Sequence, residues 1–270
     1  MTIIFRIRSG TMRQTPPPPP KPPQTPSELA PFIDHTLLRA DATEAMIQTL
    51  CKEALTYGFY AVCVNSGHVA YAKKCLRDVA IAAPVVSKNP PVQVAAVVGF
   101  PLGACTTSTK VFETKEALRL GATEIDMVLR VDLVKTGEFT RVRDDIRAVV
   151  NAAAEVDKSA LVKVILETGL LTLEEIARSS RAADEAGAHF IKTCTGFSTA
   201  GLPAGGATVE HVALMRESAG NHVKIKASGG IRNFEMARSL ILAGADRLGT
   251  SSGVSLVGGS NGKSSGGSGY

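Results

Sequence analysis

The sequence predicts a closed (β/α)8 TIM barrel, and three observations lead there. Short β-type runs alternate with segments of helical spacing through the middle of the chain, eight times over. The repeat is about 25–40 residues long, and no antiparallel hairpin signal interrupts it. The length of 270 residues suits a barrel plus tails. A doubly wound open sheet is the competing layout. It asks for G-x-G-x-x-G after the first strand, and "DHTLLRAD" has none.

Taken in order, the first strand is read at 32–36, "FIDHT". Behind it Met46, Leu50 and Ala54 recur four apart, the spacing of one helix face, and Gly58 stops that helix. The second strand is read at 60–64 and the third at 92–98. Gly121 ends a helix before the fourth, at 124–128. The fifth, at 161–166, is followed by "TLEE", a capping box with Thr172 as N-cap and Glu175 three residues on. Gly187 precedes the sixth strand, at 190–193; the seventh is read at 223–226. Gly244 precedes the eighth, at 247–249.

The flanks differ in composition from this body. Residues 1–27 contain "TPPPPPKPPQTP", a polyproline-II tract that cannot join a core and reads as a disordered arm. Residues 258–270 read as a flexible Gly/Ser tail ending in Tyr270. The barrel domain is therefore set at 28–257. The net charge of +5 comes from the flanks. Of the 30 basic and 25 acidic residues, four basic ones lie in 1–27 and one in 258–270, leaving 25 of each sign between. A neutral body implies no basic face, which argues against nucleic acid as a partner. No apolar run reaches the roughly 18–20 residues of a membrane helix. Five cysteines without a C-x-x-C pair argue against a disulfide framework and for a reducing compartment, the cytoplasm. The acid-free "MTIIFRIRSGTMRQ" leaves organelle targeting as the alternative. The histidines show no metal-ligand spacing, so no metal is expected.

Barrel chemistry sits at the C-terminal strand ends. Those ends carry Asp34, Cys63 with Asn65, Asp126, Glu167, Lys192 and Lys226. Single strand-end residues are commonly caps or ion pairs; the constellation is harder to dismiss. Two lysines on neighbouring strands repel, and partial burial adds to the effect, pushing one amine toward the neutral form. A neutral amine is a nucleophile toward carbonyls, the requirement of Schiff-base catalysis. Asp126 is placed to hold the second lysine's charge and pass protons. Lys163 in "VKVILE" shares inward parity with Glu167, which leaves two readings: an ion pair with Glu167, or a proton carrier. Lys224, nearer the N-terminal end of its strand, is expected to reach solvent below the barrel. Two small-residue loops, "ASGGIRN" and "GTSSG", follow strands seven and eight, where barrels commonly bind phosphate. Gly229, Gly230, Arg232, Ser251 and Ser252 are the candidate contacts.

Seven ordered stretches resemble the deoxyribose-phosphate aldolase family: "FIDHTLL", "AVCVN", "GATEIDMV", "VKVILETG", "FIKTCTG", "VKIKASGGIR" and "GADRLGTSSG". The resemblance spans about residues 32 to 253. It implies a class I aldolase that reversibly splits 2-deoxy-D-ribose 5-phosphate into acetaldehyde and D-glyceraldehyde 3-phosphate, without metal or organic cofactor. By motif, Lys192 resembles the Schiff-base lysine, Lys226 the lysine that perturbs it, and Asp126 the proton-relay acid. Asp34 resembles an aspartate that orients substrate or neighbours, and Cys63 a cysteine near the substrate. Gly196 falls in the phosphate region, and Phe197 stands where some members have lysine. Tyr270 is similar to a terminal tyrosine that helps proton transfer at C2. A homodimer is implied as well. Two rival readings remain: a Schiff-base barrel aldolase with another phosphorylated substrate, and a non-catalytic scaffold whose Pro-rich arm recruits an SH3 or WW partner.

Overall fold

The computed structural model describes residues 22–82, 91–197 and 206–258. Eight parallel strands close on themselves in sequence order. They are β1 (Ile33–Leu37), β2 (Ala61–Val64), β3 (Gln93–Val98), β4 (Glu124–Val128), β5 (Leu161–Ile165), β6 (Phe190–Lys192), β7 (Lys224–Ser228) and β8 (Arg247–Thr250). The expected strands all form, with ends that slip by one or two residues. The helices between them are α1 (Glu44–Tyr57), α2 (Val69–Ala82), α3 (Thr107–Arg119), α4 (Val131–Lys135), α5 (Phe139–Val156), α6 (Leu173–Glu185), α7 (Val209–Ser218), α8 (Phe234–Leu242) and α9 (Gly253–Leu256). Local chemistry starts and stops them as read. Thr172 and Glu175 form the capping box of α6. Gly58, Gly121, Gly187 and Gly244 all take the positive φ that ends a helix.

The apolar core lies between strands and helices. Outward-facing Ile125 and Met127 of β4, Val162 and Val164 of β5, and Ile225 and Ala227 of β7 are fully buried beneath the helical ring. The helices answer with Ile146 and Val149 of α5, Ile176 of α6 and Val212 of α7. Burying a side chain of this size contributes roughly 1.5–3 kcal/mol.

The N-terminal segment joins the body slightly before residue 28. Pro26–Phe32 is a 3₁₀ turn that buries Leu29, and the Pro23 carbonyl accepts from Arg238 Nε of α8 at 3.2 Å. The remainder of the Pro-rich arm, residues 1–21, lies outside the described residues, as does the tail with Tyr270. Among the described residues no helix is long and apolar enough to cross a membrane. The five cysteines are free.

Candidate active site

Strand alternation sends every second side chain into the barrel. On β4 to β8 and β1 those inward positions carry a buried charged set: Glu124 and Asp126, Lys163, Lys192, Lys226, Arg247 and Asp34. On β2 and β3 they are small or apolar, with Cys63, Ala95 and Val97 packing against Leu38, Phe100 and Phe197. The rings of Phe100 and Phe197 meet edge-on at 5.2 Å. The barrel mouth thus has one charged side and one apolar wall.

The charged side is one continuous network. Asp126 accepts from three lysines: Lys163 Nζ at 2.6 Å on Oδ1, and Lys192 Nζ at 2.9 Å and Lys226 Nζ at 2.8 Å on Oδ2. Lys226 also donates to Asp34 Oδ2 at 2.5 Å, and Arg247 Nη1 donates to Asp34 Oδ1 at 2.8 Å. Lys163 Nζ lies 2.6 Å from Glu124 Oε2, and Arg247 Nη1 lies 3.5 Å from the same oxygen. Parallel register brings these groups together: Lys192 pairs with Lys226, and Asp126 with Lys163. Gly249 makes the crossing possible. A Cβ there would fall 3.0 Å from Lys226 Cε and 3.0 Å from Ser228 Cβ, so a side chain would displace the lysine.

The electrostatics follow from the packing. Burial alone would neutralise Asp126, but Lys163, Lys192 and Lys226 overcome it and hold the carboxyl well below its usual range. Asp34 is likewise depressed, with Lys226, Arg247 and Lys163 outweighing desolvation. Burial works against the Lys226 ammonium, yet Asp126 and Asp34 raise it above the ordinary lysine range, so it stays charged. Burial pushes the Cys63 thiol up, which leaves a neutral thiol in the apolar wall.

One sequence expectation needs correction. Lys163 does not pair with Glu167; its partners are Asp126 and Glu124. The chain turns out of the strand at Glu167, whose φ of 58° lies in the left-handed region, so alternation no longer aims its side chain at the lysine. The Glu167 carboxylate accepts instead from the Thr195 amide at 3.3 Å and from the Thr195 hydroxyl, and burial raises its pKa. Glu124 and Arg247 belong to the network and were not singled out from the sequence. Each sits at the first position of its strand, below the strand ends that were searched; inward parity with Asp126 was the signal for Glu124. Lys224 is exposed at the bottom of β7, as expected.

The candidate phosphate loops lie beside this network. Thr193 Oγ1 donates to the Ser228 carbonyl at 2.9 Å, and Ser228 Oγ donates to the Cys194 carbonyl at 2.6 Å. These bonds lock the chain after β6 to the chain after β7. Gly229 and Gly230 follow with φ of 93° and 73°, a backbone path that glycine takes at least cost. Thr250 Oγ1 donates to the Ile231 carbonyl at 3.1 Å and accepts from the Ser252 amide at 3.0 Å, tying in the loop after β8. Gly196 ends the β6 segment, and Ser251 and Arg232 are exposed on the same loops. Among the described residues no group of three or more histidine, cysteine or acidic side chains is arranged to hold a metal.

Comparison with known proteins agrees with this architecture. The model of the DeoC/LacD family aldolases matches residues 29–266. A deoxyribose-phosphate aldolase of Exiguobacterium sibiricum is 50% identical over 229 residues, covering 85% of this chain and 95% of that protein. One from Thermococcus gammatolerans is 50% identical over 230 residues, again covering 85% and 95%. The solved tetrameric structure of deoxyribose phosphate aldolase from Aeropyrum pernix superposes with a TM-score of 0.76 at 31% identity, covering 88% of this chain and 92% of that one.

Proposed function

The chain belongs to the DeoC/LacD family of aldolases, and from that premise we propose that it reversibly cleaves 2-deoxy-D-ribose 5-phosphate to acetaldehyde and D-glyceraldehyde 3-phosphate, with Lys192 as the Schiff-base nucleophile. The observation that carries the residue assignment is the sharing of Asp126. Lys163, Lys226 and Arg247 each lie within 4 Å of two or more carboxylates; among the described residues Lys192 has Asp126 alone, on an oxygen that Lys226 also contacts. Lys192 is therefore the amine with the fewest carboxylate partners in the network.

In the proposed reaction, neutral Lys192 attacks the substrate C1 carbonyl and the carbinolamine loses water to give an iminium. The C3 hydroxyl gives its proton to Asp126, directly or through water, and the C2–C3 bond breaks. Its electron pair flows into the iminium, which becomes an enamine, and D-glyceraldehyde 3-phosphate leaves. Protonation at C2 restores the iminium, and water releases acetaldehyde and free Lys192. Charged Lys226 stabilises the Asp126 carboxylate and shares the relay, while Asp34 holds Lys226 in place. Lys163 lies within 4 Å of three carboxylates, Asp34, Glu124 and Asp126, and acts as a structural counter-cation. The apolar wall with Cys63 suits C2, the methylene beside the aldehyde, which carries no hydroxyl. The substrate phosphate is assigned to backbone amides at Gly196, Gly229 and Gly230, with Ser251, Ser252 and Arg232 at the rim. Tyr270 is assigned the C2 proton. A cytoplasmic homodimer is the proposed setting, and free cysteines suit a reducing compartment.

The test is acetaldehyde release from 2-deoxy-D-ribose 5-phosphate, followed with an NADH-linked alcohol dehydrogenase. Steady release is expected, while ketose bisphosphates and phosphorylated keto acids, whose cleavage would give a ketone or keto-acid fragment instead of acetaldehyde, should remain intact when their loss is followed chromatographically. The reverse preference would overturn the substrate assignment and leave a barrel aldolase of another specificity.

A further inference from the structure

Below the reacting layer lies a second tier of buried charge that takes no part in the proposed bond-breaking steps. Glu124 opens β4 and Arg247 opens β8. Both are almost fully buried, at 1% and 5% exposure. Glu124 Oε2 lies 2.6 Å from Lys163 Nζ and 3.5 Å from Arg247 Nη1 as an ion pair, while neither Glu124 oxygen has a well-aligned hydrogen bond among the described residues. The Arg247 guanidinium stacks on Tyr60, with Cζ 3.4 Å from the ring centroid, and lies 5.4 Å from that of Phe190. A buried arginine stays protonated and a carboxylate with an idle oxygen is costly, so the pair is not explained by packing alone.

The charge count supplies a reason. Among the described residues the ion-paired network of the barrel interior holds four cationic side chains, Lys163, Lys192, Lys226 and Arg247, against three carboxylates, Asp34, Glu124 and Asp126. A desolvated cluster favours neutrality, because an uncompensated buried ion works strongly against folding. One amine is in surplus, and the pairing pattern selects which. Glu124 and Asp126 hold Lys163, Asp34 and Asp126 hold Lys226, and Asp34 with Glu124 holds Arg247.

We propose that Glu124 and Arg247 are positioning residues that set the charge balance of the barrel interior, so that Lys192 is the one amine left free to lose its proton and react. They touch no substrate and act through Lys163 and Asp34, which in turn fix the demand on Asp126. The inference rests on Lys192 being the nucleophile. Other titratable groups face Lys192 as well. Asp126 and Lys226 do so from β4 and β7, and Cys63 from β2; Glu167 lies at the end of β5 and Cys194 just past β6. Burial keeps both thiols neutral, and Glu167 is turned to Thr195 and makes no ion pair among the described residues. The two thiols leave the count unchanged, and Glu167 stands outside the ion-paired network.

The experiment uses the full chain as wild type, Arg247→Met, Glu124→Gln and the double variant. Each is mixed with acetaldehyde and borohydride from pH 5 to 9, the trapping rate is fitted to a pH midpoint, and digestion with mass spectrometry locates the adduct. Arg247→Met removes a cation, so Lys192 holds its proton more tightly. The midpoint should rise by about one pH unit, with roughly tenfold slower trapping on the acid limb. Glu124→Gln removes an anion, and the midpoint should fall by a similar amount. The double variant should return to near the wild-type midpoint, which a merely structural role would not produce. Glu124→Gln is nearly isosteric and carries the test by itself if Arg247→Met does not fold. Unshifted midpoints, shifts of the same sign, or a double variant that fails to revert would overturn the proposal. Wild-type adduct on another lysine would instead overturn the assignment of Lys192 as nucleophile.

Discussion

The two faces of the same strands could hardly differ more. On β4 the outward residues are Ile125 and Met127 and the inward ones Glu124 and Asp126; on β7 they are Ile225 and Ala227 against Lys224, Lys226 and Ser228. The outer face is a dry hydrocarbon layer that holds strands to helices. The inner face gathers ions whose desolvation works against folding. The difference separates two tasks along one chain. Alternation lets the outer residues stabilise the barrel while the inner ones are selected for charge.

That separation can be broken most sharply at Lys192. Lys192→Met should cost on the order of 10⁴-fold or more in kcat/KM, measured by acetaldehyde release, because the covalent step is lost. Its Tm should hold or rise, since a buried amine with one shared partner is removed. A Tm collapse would mean that the inner face is structural after all.

Asp126→Asn should damage both properties. The relay and the counter-charge for three lysines vanish together, costing about 10²–10⁴-fold in rate and about 3–5 kcal/mol in denaturant unfolding. The pH dependence has a definite sign. Asp126 and Asp34 have folded-state pKa values below their unfolded values, near 3.9. Their contribution to stability is therefore complete above about pH 5 and is lost as the pH falls further. The acid limb of the unfolding curve should be shallower in Asp126→Asn than in wild type. Lys226 acts oppositely: its raised pKa contributes stability that is full below about pH 10 and is lost at higher pH.

On the outer face, Ile225→Ala should cost about 2–5 kcal/mol in unfolding free energy. Well below the transition, its kcat/KM should stay within about twofold of wild type. A large catalytic loss would couple the two faces that alternation separates. The smallest effect is expected for removal of residues 1–21, which should leave kcat/KM within about twofold and stability within about 0.5 kcal/mol. A larger change would give the Pro-rich arm a part in the enzyme.

Much of this division is legible in the sequence, because strand alternation and strand-end position can be counted along a single chain. Asp126, Lys192 and Lys226 emerge that way. Relations between strands are not countable. The sharing of Asp126 by three amines depends on register, which sets Lys163 opposite Asp126 and Lys192 opposite Lys226. Glu124 and Arg247 escaped notice because they lie at strand starts, where barrel chemistry is not sought. The expected Lys163–Glu167 pair failed because one residue in the left-handed region ended the alternation. A single backbone turn can redirect a charge that parity alone would place.

The most direct test of the central claim, that one inner-face lysine is the reactive amine, is where acetaldehyde attaches. The protein is incubated with acetaldehyde, reduced with borohydride, digested and mapped by mass. A reduced adduct confined to Lys192 is the expected result. An adduct on Lys226 or Lys163, or none in folded protein, would contradict it.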